Sequence, residues 1–504
     1  MKKSRKKFLG FDLGASSGKV FLGTLEVGKL KLDEIYSFPN SGIQVFDSLY
    51  WDTLGIFEEI KKGMKIFVEK HGPELDGIGL DTWGVSFVLL DDNDEPVGLA
   101  RHYRDKRADG MLKEMLKVVP KEEIYNQTGI QLMQINTSTH LFSMVKNKSP
   151  QLSFAKTLLM MADYFNFLLS GEKCSEYSIA TTSQLLDPIK KKWAYDLIKK
   201  LGFNLGWFQK VVDPGTILGN IHPMVLNQTG LNKNTPLIAP ICHDTAAAVA
   251  ATPVEEGIRE WVYISSGTWS LMGLELKHPI INEKALEYNL TNEGGAFGTI
   301  RFLKNITGLW LIQECKRLWD EQRESQISYD EILKLAEKAE PFTSFIFPDN
   351  NAFLNPHNMI HAIQNYCKET KQDIPMEIDV ISRIIFEGLA FRYRQILDKL
   401  QDISNKKIEK IYIVGGGSQN RLLCQFTANV TNLPVDSGPT EATAIGNILM
   451  QAAATKEINS LQELRKVVRN SFQIKSFTPR NLSEWEDAYK TYLKYYDAQK
   501  NIIV

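Results

Sequence analysis

Hydrophobic positions in the first half of the chain follow two periods. Strand-like runs lie at 8–23, 28–38 and 77–92, where apolar residues cluster in short stretches bounded by turn residues. Residues 51–72 repeat apolar side chains every three or four positions and end at a glycine, which is typical of an amphipathic helix. The apolar run 237–242 precedes an alanine-rich helical stretch. This order of strands and helices predicts an α/β domain with a mixed sheet.

The second half repeats the order of elements found in the first. Residues 260–276 contain an apolar strand, a Ser-Ser-Gly-Thr turn and another apolar strand, as residues 9–22 do, and 406–420 end a buried strand on glycines. A repeated order of elements indicates an internal duplication even where sequence identity is low. We therefore predict two domains, at 1–252 and 253–504, whose Ser-Ser-Gly hairpins face each other across a cleft.

Composition and charge indicate which classes of protein and partner the sequence favours. The chain has 504 residues, too many for one core, and its 43% hydrophobic and 24% charged residues are ordinary for a globular protein. A formal net charge of −1 gives no reason to expect a nucleic acid or an anionic membrane as a partner. The basic opening is followed at once by Asp12 and a glycine turn, so we expect no signal peptide, and the apolar stretch 158–171 is too short to span a bilayer. Five isolated cysteines form no CxxC pair, a usage that predicts the cytoplasm.

The turn Gly14–Lys19 is the first candidate for ligand binding. Its glycines allow positive φ and uncover backbone N–H groups, and two hydroxyls and an ammonium add donors, a combination that suits phosphate. It is not a GxxxxGK[ST] loop, since three residues separate Gly14 from Gly18 and Val20 follows the lysine. From these residues alone, a phosphate-binding turn and an ordinary β-hairpin are equally good interpretations.

Polar groups end several predicted buried strands, where open α/β sheets bind their ligands. These groups are Asp12, Asp81-Thr82-Trp83-Gly84, His243-Asp244-Thr245 and Gly415–Gly417. Asp244 lies between an apolar run and a small-residue helix. It is a candidate helix cap and a candidate general base that takes a proton from a substrate hydroxyl. Capping is the more common role for a single aspartate at a helix start. If Asp244 is the general base, Asp12 is a candidate ligand for Mg²⁺, whose ligands are a few carboxylates together with waters and phosphate oxygens.

Other motifs give weaker signals. The glycine triplet lacks the last glycine of GxGxxG, because Asn420 stands there, but glycine backbone beside a helix start can still receive phosphate. His357 and His361 have the spacing of a zinc pair without the glutamate of HExxH, and we do not predict a metal site there. The sequence has no CxxC, and Gly14–Gly18, which matches the letters GxSxG, lies between two predicted strands and not before a helix as a nucleophile elbow does. Hydrolase and disulfide redox chemistry therefore find no support.

Seven stretches together resemble the FGGY family of carbohydrate kinases, within the actin-like ATPase superfamily. They are FDLGASSGK (11–19), GLDTWGVSFVLLD (79–91), HDTAAAVAA (243–251), YISSGTWSLMGLE (263–275), LTNEGGAFG (290–298), FLKNITGLWLIQE (302–314) and IVGGGSQN (413–420). The resemblance implies an α/β fold of two ribonuclease H-like (actin-like ATPase) domains with a cleft between them. It implies a sugar-binding domain with the first phosphate loop at 1–252 and a nucleotide-binding domain at 253–504.

The resemblance also implies an activity, the ATP-dependent phosphorylation of a small-molecule sugar with Mg²⁺. The family members most similar to this chain convert L-rhamnulose to L-rhamnulose 1-phosphate in L-rhamnose breakdown. A kinase of another ketose, L-fuculose first, is the nearest alternative. A non-catalytic actin-like ATP-binding sensor is a remote one. Neither a nucleic acid nor a membrane is implied as a partner.

Site residues carry over position by position. Asp244 matches the general base that activates the sugar's primary hydroxyl, and Asp12 matches a position on the Mg²⁺–ATP side. The matched sugar-contacting positions are Gly84, His243, Asp244, Thr245 and Asn305. The matched nucleotide-contacting positions are Ala15, Ser16, Ser17, Gly18, Lys19, Thr268, Gln313 and Gly416. The chain departs from the family pattern at Ser86, where the most similar members carry an aspartate, and at His140, which occupies the position of a family lysine.

Overall fold

The computed structural model describes residues 5–499. Its β-strands are β1 Lys6–Leu13, β2 Ser17–Glu26, β3 Lys29–Pro39, β4 Ile43–Val45, β5 Ser48–Tyr50, β6 Gly77–Thr82, β7 Phe87–Leu90, β8 Thr157–Met160, β9 Ser175–Glu176, β10 Leu186–Asp187, β11 Lys192–Trp193, β12 Val211–Val212, β13 Thr216–Asn220, β14 Pro236–Ala239, β15 Trp261–Ser266, β16 Trp269–Leu276, β17 Thr291–Gly294, β18 Ile300–Thr307, β19 Lys410–Val414, β20 Val435–Ser437 and β21 Lys475–Phe477.

Helices alternate with these strands along the chain. They are α1 Thr53–His71, α2 Met111–Val118, α3 Lys121–Thr128, α4 Thr137–Lys146, α5 Gln151–Phe154, α6 Met161–Ser170, α7 Tyr177–Thr181, α8 Tyr195–Lys200, α9 Pro223–Thr229, α10 Asp244–Ala250, α11 Glu283–Glu287, α12 Trp310–Gln322, α13 Tyr329–Lys338, α14 Met359–Glu369, α15 Ile378–Ser404, α16 Arg421–Thr431, α17 Ala442–Ala454, α18 Leu461–Ser471 and α19 Leu482–Gln499.

The chain divides into two compact units. The first takes the residues up to Thr252 together with Glu275–Leu303 and Glu441–Phe472, and the second takes Pro253–Leu274, Lys304–Thr440 and the residues from Gln473 onward. The sequence analysis predicted that each domain is one continuous stretch of the chain. In the structure, two segments that follow Thr252 belong to the first unit. The last of these segments belongs there because α17 bonds to the first sheet: Gln451 Nε2 donates to the carbonyl oxygen of Leu9 at 3.1 Å.

The sheet of the first unit has the order β13-β14-β6-β1-β2-β3. β1 runs antiparallel to β2 and parallel to β6, which is buried along its whole length, as expected for a central parallel strand covered on both faces. The register sets Asp12 of β1 opposite Lys19 of β2 and opposite Asp81 of β6. Three polar side chains therefore meet at one end of the central strands.

The second unit repeats this arrangement. Its strands follow the order β18-β16-β15-β19-β20-β21, with β15 antiparallel to β16 and parallel to β19, and with β20 parallel to β19 and antiparallel to β21. In the first unit β1 has the same relations to β2 and β6, and β14 pairs parallel with β6 and antiparallel with β13. The internal duplication inferred from the order of elements is present in the strand topology.

Helix α1 shows how the apolar pattern becomes packing. Asp52 caps its start by accepting from the N–H of Gly55, and Gly72 ends it with φ of 79°. The apolar residues that recur at three or four positions, Ile56 and Ile60 among them, are buried.

Two small-residue helices of the first unit, α10 and α17, pack backbone to backbone. A Cβ added to Gly446 of α17 would lie 1.9 Å from the carbonyl oxygen of Ala247 in α10. Only glycine permits this approach. The contact fixes α10, which begins at Asp244, against α17, which begins just after Glu441.

Within residues 5–499, the apolar helices all fall short of the length and hydropathy that a bilayer crossing requires. All five cysteines are buried as free thiols.

Candidate active site

The turn between β1 and β2 presents uncommitted N–H groups. Gly14 N–H donates to the carbonyl of Ser17 at 2.9 Å, and Asn40 holds the turn from outside through Ser16 and Gly14 carbonyls at 3.1 and 2.7 Å. The N–H groups of Ala15 and Ser16 have no hydrogen-bond partner among residues 5–499. The turn is a hairpin whose donors remain available to an anion, so the two interpretations of the sequence are compatible.

The glycines of this turn act differently from the prediction. Neither Gly14 nor Gly18 is among the glycines with positive φ. Gly18 instead lies under the ring of Phe38, where a Cβ would come within 2.2 Å of ring carbon Cζ. Glycine is required at position 18 for close packing, not for backbone conformation.

Lys19 does not extend freely into solvent. Its Nζ donates to Glu441 Oε1 at 2.8 Å, and the two side chains are 31% and 30% exposed. Burial lowers the pKa of Lys19, but the bond and charge of Glu441 outweigh it and raise the pKa above its ordinary value. The ammonium stays charged and engaged with Glu441, which precedes α17.

Asp81 is a fully buried carboxyl group. Its Oδ2 accepts from Asn447 Nδ2 at 2.6 Å, while Oδ1 has no hydrogen-bond partner in the described part of the chain. Burial raises the pKa of Asp81 well above its ordinary value, and the charge of Asp12 adds to the effect. Asn447, which reaches Asp81 from α17, was not among the predicted site residues.

Asp12 lies beside Asp81 and is half-buried. Burial, then the charges of Asp244 and Glu441, raise its pKa to about 7 against the opposing charge of Lys19. Its oxygens accept no hydrogen bond from side chains or turns of residues 5–499. A carboxylate with free oxygens among other acids is an electrostatically strained group that a cation would relieve.

The donor set limits which metals fit. Across residues 5–499, three or more His, Cys, Asp or Glu side chains nowhere come together in a way that could hold a metal ion. His357 precedes α14 while His361 lies inside it. Mg²⁺ needs one or two carboxylates and takes its other ligands from water and phosphate, so Asp12 beside Asp81 fits Mg²⁺.

Asp244 is the first residue of α10, and His243 is its N-cap. Oδ1 of Asp244 accepts from Thr245 Oγ1 at 3.1 Å and from the adjacent N–H, whereas Oδ2 accepts no hydrogen bond from the described residues. Burial raises the pKa of Asp244 to about 6, although bonds from Thr245 and the charge of Arg301 lower it. Asp244 therefore bonds only its neighbour, and 27% of its side chain meets solvent.

Gly84 lies against the same residues. A Cβ at Gly84 would be 3.2 Å from His243 Nε2 and 3.0 Å from Thr182 Cγ2. The structure thus brings Gly84, His243, Asp244 and Thr245 together in the first unit. Asn305, on β18, belongs to the second unit and is half-buried.

Two buried charges behind His243 were missed by the sequence analysis. Arg301 Nη2 lies 2.9 Å from His243 Nδ1 and 3.0 Å from Glu293 Oε2. Burial and the charge of Arg301 lower the pKa of His243 well below its ordinary value. Their pairing left no signal in the sequence, because Glu293 lies in the polar stretch Thr291–Gly294 and meets Arg301 only through the register of β17 and β18.

Ser86 stands in an aromatic cluster. Its Oγ accepts from the indole nitrogens of Trp51 and Trp83 at 3.1 and 2.9 Å, and the two indole rings lie 3.9 Å apart. A hydroxyl satisfies both indole donors here, as a carboxylate would, but without charge.

His140, the second departure from the family pattern, is held as a neutral side chain. Its Nδ1 accepts from Arg107 Nε at 3.2 Å, and its Nε2 lies 3.0 Å from the carbonyl of Tyr103. Burial, then the charge of Arg107, lowers its pKa to about 3. His140 therefore carries no charge at neutral pH.

In the second unit, Thr268 and Gln313 meet. Thr268 Oγ1 lies 3.2 Å from Gln313 Oε1, and the N–H groups of Gly308 and Trp310 donate to the carbonyl of Thr268. Gln313 also lines an open depression of ≈ 500 Å³ with Lys316 and other residues of α12.

The glycine triplet packs on the second hairpin. A Cβ at Gly417 would lie 2.1 Å from Ser266 Oγ, and one at Gly415 would lie 3.0 Å from the Ser266 carbonyl. Gly415 also has φ of 83°, so only this glycine of the triplet adopts positive φ. A Cβ at Gly416 would meet open space.

Comparison with family models identifies the class. The N-terminal domain model of the FGGY family of carbohydrate kinases matches residues 7–251, and the C-terminal domain model matches residues 262–455. The chain therefore belongs to the FGGY family of carbohydrate kinases, as the seven motif stretches predicted. Membership implies the use of ATP.

Curated relatives are more specific in name. The chain is 43% identical to a rhamnulokinase from Oceanobacillus iheyensis, over 93% of this chain and 97% of the relative. It is 40% identical to a rhamnulokinase from Bacteroides thetaiotaomicron, over 96% of this chain and 98% of the relative.

Solved structures confirm the predicted fold of two ribonuclease H-like domains. A gluconate kinase from Lactobacillus acidophilus matches with a TM-score of 0.80 at 16% identity, covering 98% of both chains. A Plasmodium falciparum glycerol kinase with ADP matches with a TM-score of 0.75 at 15% identity, covering 99% of this chain and 98% of the other.

Proposed function

We propose that this protein transfers the γ-phosphoryl group of ATP to the primary hydroxyl of L-rhamnulose, giving L-rhamnulose 1-phosphate and ADP. The observation that carries the proposal is Asp244, a partly buried carboxyl group with one uncommitted oxygen beside Gly84, His243 and Thr245. The names of the curated relatives support the sugar.

Asp244 acts as the general base. Its Oδ2 takes the proton of the sugar hydroxyl while the hydroxyl oxygen forms a bond to the γ-phosphorus. The bond between the γ-phosphorus and the bridging oxygen of the β-phosphate breaks, and ADP leaves. A pKa of about 6 suits this role, because the group is ionised at neutral pH and still basic enough to accept a proton. Gly84, His243, Thr245 and Asn305 contact the sugar.

The first hairpin receives phosphate. The N–H groups of Ala15 and Ser16, with the hydroxyls of Ser16 and Ser17, donate to phosphate oxygens, and Gly18 keeps the hairpin tight. Asp12 would hold Mg²⁺, and the ion when bound would neutralise charge on the phosphates. Lys19 supports the loop through its ion pair with Glu441.

Thr268, Gln313 and Gly416 of the second unit contact the nucleotide. The open space beside Gly416 and the bond between Thr268 and Gln313 support this assignment. We assign sugar binding to the first unit and nucleotide binding to the second, and the buried free cysteines fit a reducing cytoplasm.

The test is ADP release measured by a coupled assay across L-rhamnulose, L-fuculose, L-ribulose, xylulose and glycerol, with and without Mg²⁺. We expect kcat/KM to be highest for L-rhamnulose and turnover to require the divalent ion. A clear preference for another sugar refutes the substrate assignment. ATP binding without turnover on any sugar indicates the non-catalytic sensor.

A further inference from the structure

Behind the proposed base lies a line of buried polar groups, Glu293, Arg301 and His243. We propose that Glu293 and Arg301 are positioning residues: Arg301, held by Glu293, fixes His243 in the tautomer with its proton on Nε2, and His243 in turn orients Asp244. This inference rests on the proposed role of Asp244 and adds two residues that do not touch the sugar themselves.

Arg301 is placed with little freedom. Its side chain is fully buried, and its Nε donates to the carbonyl of Gly294 at 3.0 Å. Its Nη2 carries two hydrogens and has two acceptors, Glu293 Oε2 at 3.0 Å and His243 Nδ1 at 2.9 Å. One hydrogen is therefore directed to each.

The tautomer of His243 follows from this geometry. A guanidinium group only donates, so His243 Nδ1 must be an acceptor without a proton. Burial and Arg301 keep the imidazole neutral, so its single proton lies on Nε2. That nitrogen is 3.4 Å from Asp244 Oδ1. A proton on Nε2 puts partial positive charge beside Oδ1 without a hydrogen bond to it, and Oδ2 is left to accept the substrate proton.

Stability alone does not account for Arg301. Its Nη1 is buried with no hydrogen-bond partner in the described part of the chain, an arrangement that costs free energy. A buried ion pair is frequently replaceable by apolar residues without loss of stability. Without Arg301, His243 Nδ1 would donate to Glu293 Oε2, 3.5 Å away, and the Nε2 lone pair would face the Asp244 carboxylate. The wrong tautomer would repel the base.

The chain supplies a matched control in Arg465. Its Nη1 and Nη2 bond Glu275 at 2.8 and 2.9 Å, it is equally a buried arginine of the first unit, and it also contacts α10 through the carbonyl of Val249. Arg301→Met and Arg465→Met remove comparable ion pairs, but only the first reaches His243.

We expect Arg301→Met to lower kcat about 10- to 100-fold, the usual effect of losing a group that orients a reacting residue, with KM for ATP unchanged. Arg465→Met should retain kcat within about threefold. Nitrogen-15 NMR of protein labelled at its eight histidines reports the tautomer directly. His243 is assigned by the signal lost in His243→Asn. The wild type should show the proton on Nε2, and Arg301→Met should not.

Each outcome decides the inference. A proton on Nδ1 in the wild type overturns it, as does a loss of kcat in Arg301→Met no greater than in Arg465→Met. If Arg301→Met does not fold, Glu293→Gln, which keeps the shape and removes the charge that holds Arg301, must lower kcat by more than Arg465→Met does while the proton stays on Nε2, because Arg301 still donates to Nδ1. A loss no greater than in Arg465→Met overturns the inference. The NMR result on the wild type does not depend on which sugar is phosphorylated, so failure of the proposed substrate is seen separately.

Discussion

Asp244→Asn should make the protein more stable and nearly inactive. The pKa of Asp244 rises from an ordinary 3.8 to about 6 in the folded protein. Each pKa unit corresponds to about 1.4 kcal/mol, so holding the ionised carboxylate costs about 3 kcal/mol above pH 7. This is an upper value, because 27% of the side chain still meets solvent. Asparagine keeps the oxygen that accepts from Thr245 and removes the charge.

The sign of the pH dependence is specific. A raised carboxyl pKa means that the folded state binds the proton more tightly, so the wild type loses stability as pH rises from about 4 to about 6. The asparagine amide of the variant does not titrate. The stability gained in Asp244→Asn should therefore be near zero below pH 4, roughly half-developed at pH 5 and complete at pH 8. Removing the charge also lowers the pKa of Asp12, which acts in the same direction.

Thermal unfolding of both proteins at pH 5 and pH 8 measures this. About 3 kcal/mol corresponds to roughly 5 °C in Tm for a unit of this size. Turnover with saturating L-rhamnulose should fall about 10²- to 10⁴-fold, as expected for a lost general base. Near-normal turnover, or a variant no more stable than the wild type at pH 8, would refute the reasoning.

Three further outcomes are expected. The kcat/KM of the wild type should fall about tenfold per pH unit below about pH 6, because protonation of Asp244 removes the base, and a flat profile down to pH 5 would contradict the assignment. Gly417→Ala should weaken ATP binding and lower Tm, because its Cβ would lie 2.1 Å from the hydroxyl of Ser266. The Cβ of Gly416→Ala would meet open space, so this variant should leave Tm unchanged. Calorimetry measures Tm and a titration with ATP measures binding. Lys19→Met should change KM for ATP less than about threefold, since the ammonium is engaged by Glu441 and a partly exposed pair of this kind contributes at most about 1 kcal/mol. A tenfold rise in KM would show that Lys19 binds phosphate.

The duplicated fold was predictable because burial leaves a local pattern. A strand, a small polar turn and a second strand are visible wherever both strands are apolar, and that signal occurs at 9–22 and again at 260–276. The aspartate proposed as the base was also visible, since Asp244 interrupts an apolar run at a helix start.

The groups that tune the site were not predictable in the same way. Glu293 and Arg301 meet because β17 and β18 pair in one register. Their contacts with His243 join residues 50 and 58 positions apart. Asn447 reaches Asp81 across 366 positions. Such contacts depend on tertiary packing, which periodicity along the chain does not encode.

The return of residues 441–472 to the first unit has a consequence for synthesis of the chain. When Thr252 has been made, Asp81 still lacks Asn447, and α10 still lacks the glycine helix it packs on. At about 5–20 residues per second, roughly 10 to 40 s pass before Phe472 is made. Through that interval the face of β1 and β6 on which α17 packs is uncovered, and Asp81 lacks the amide that bonds it. The packing around these carboxyl groups is thus completed only near the end of translation, after almost all of the second unit has been made.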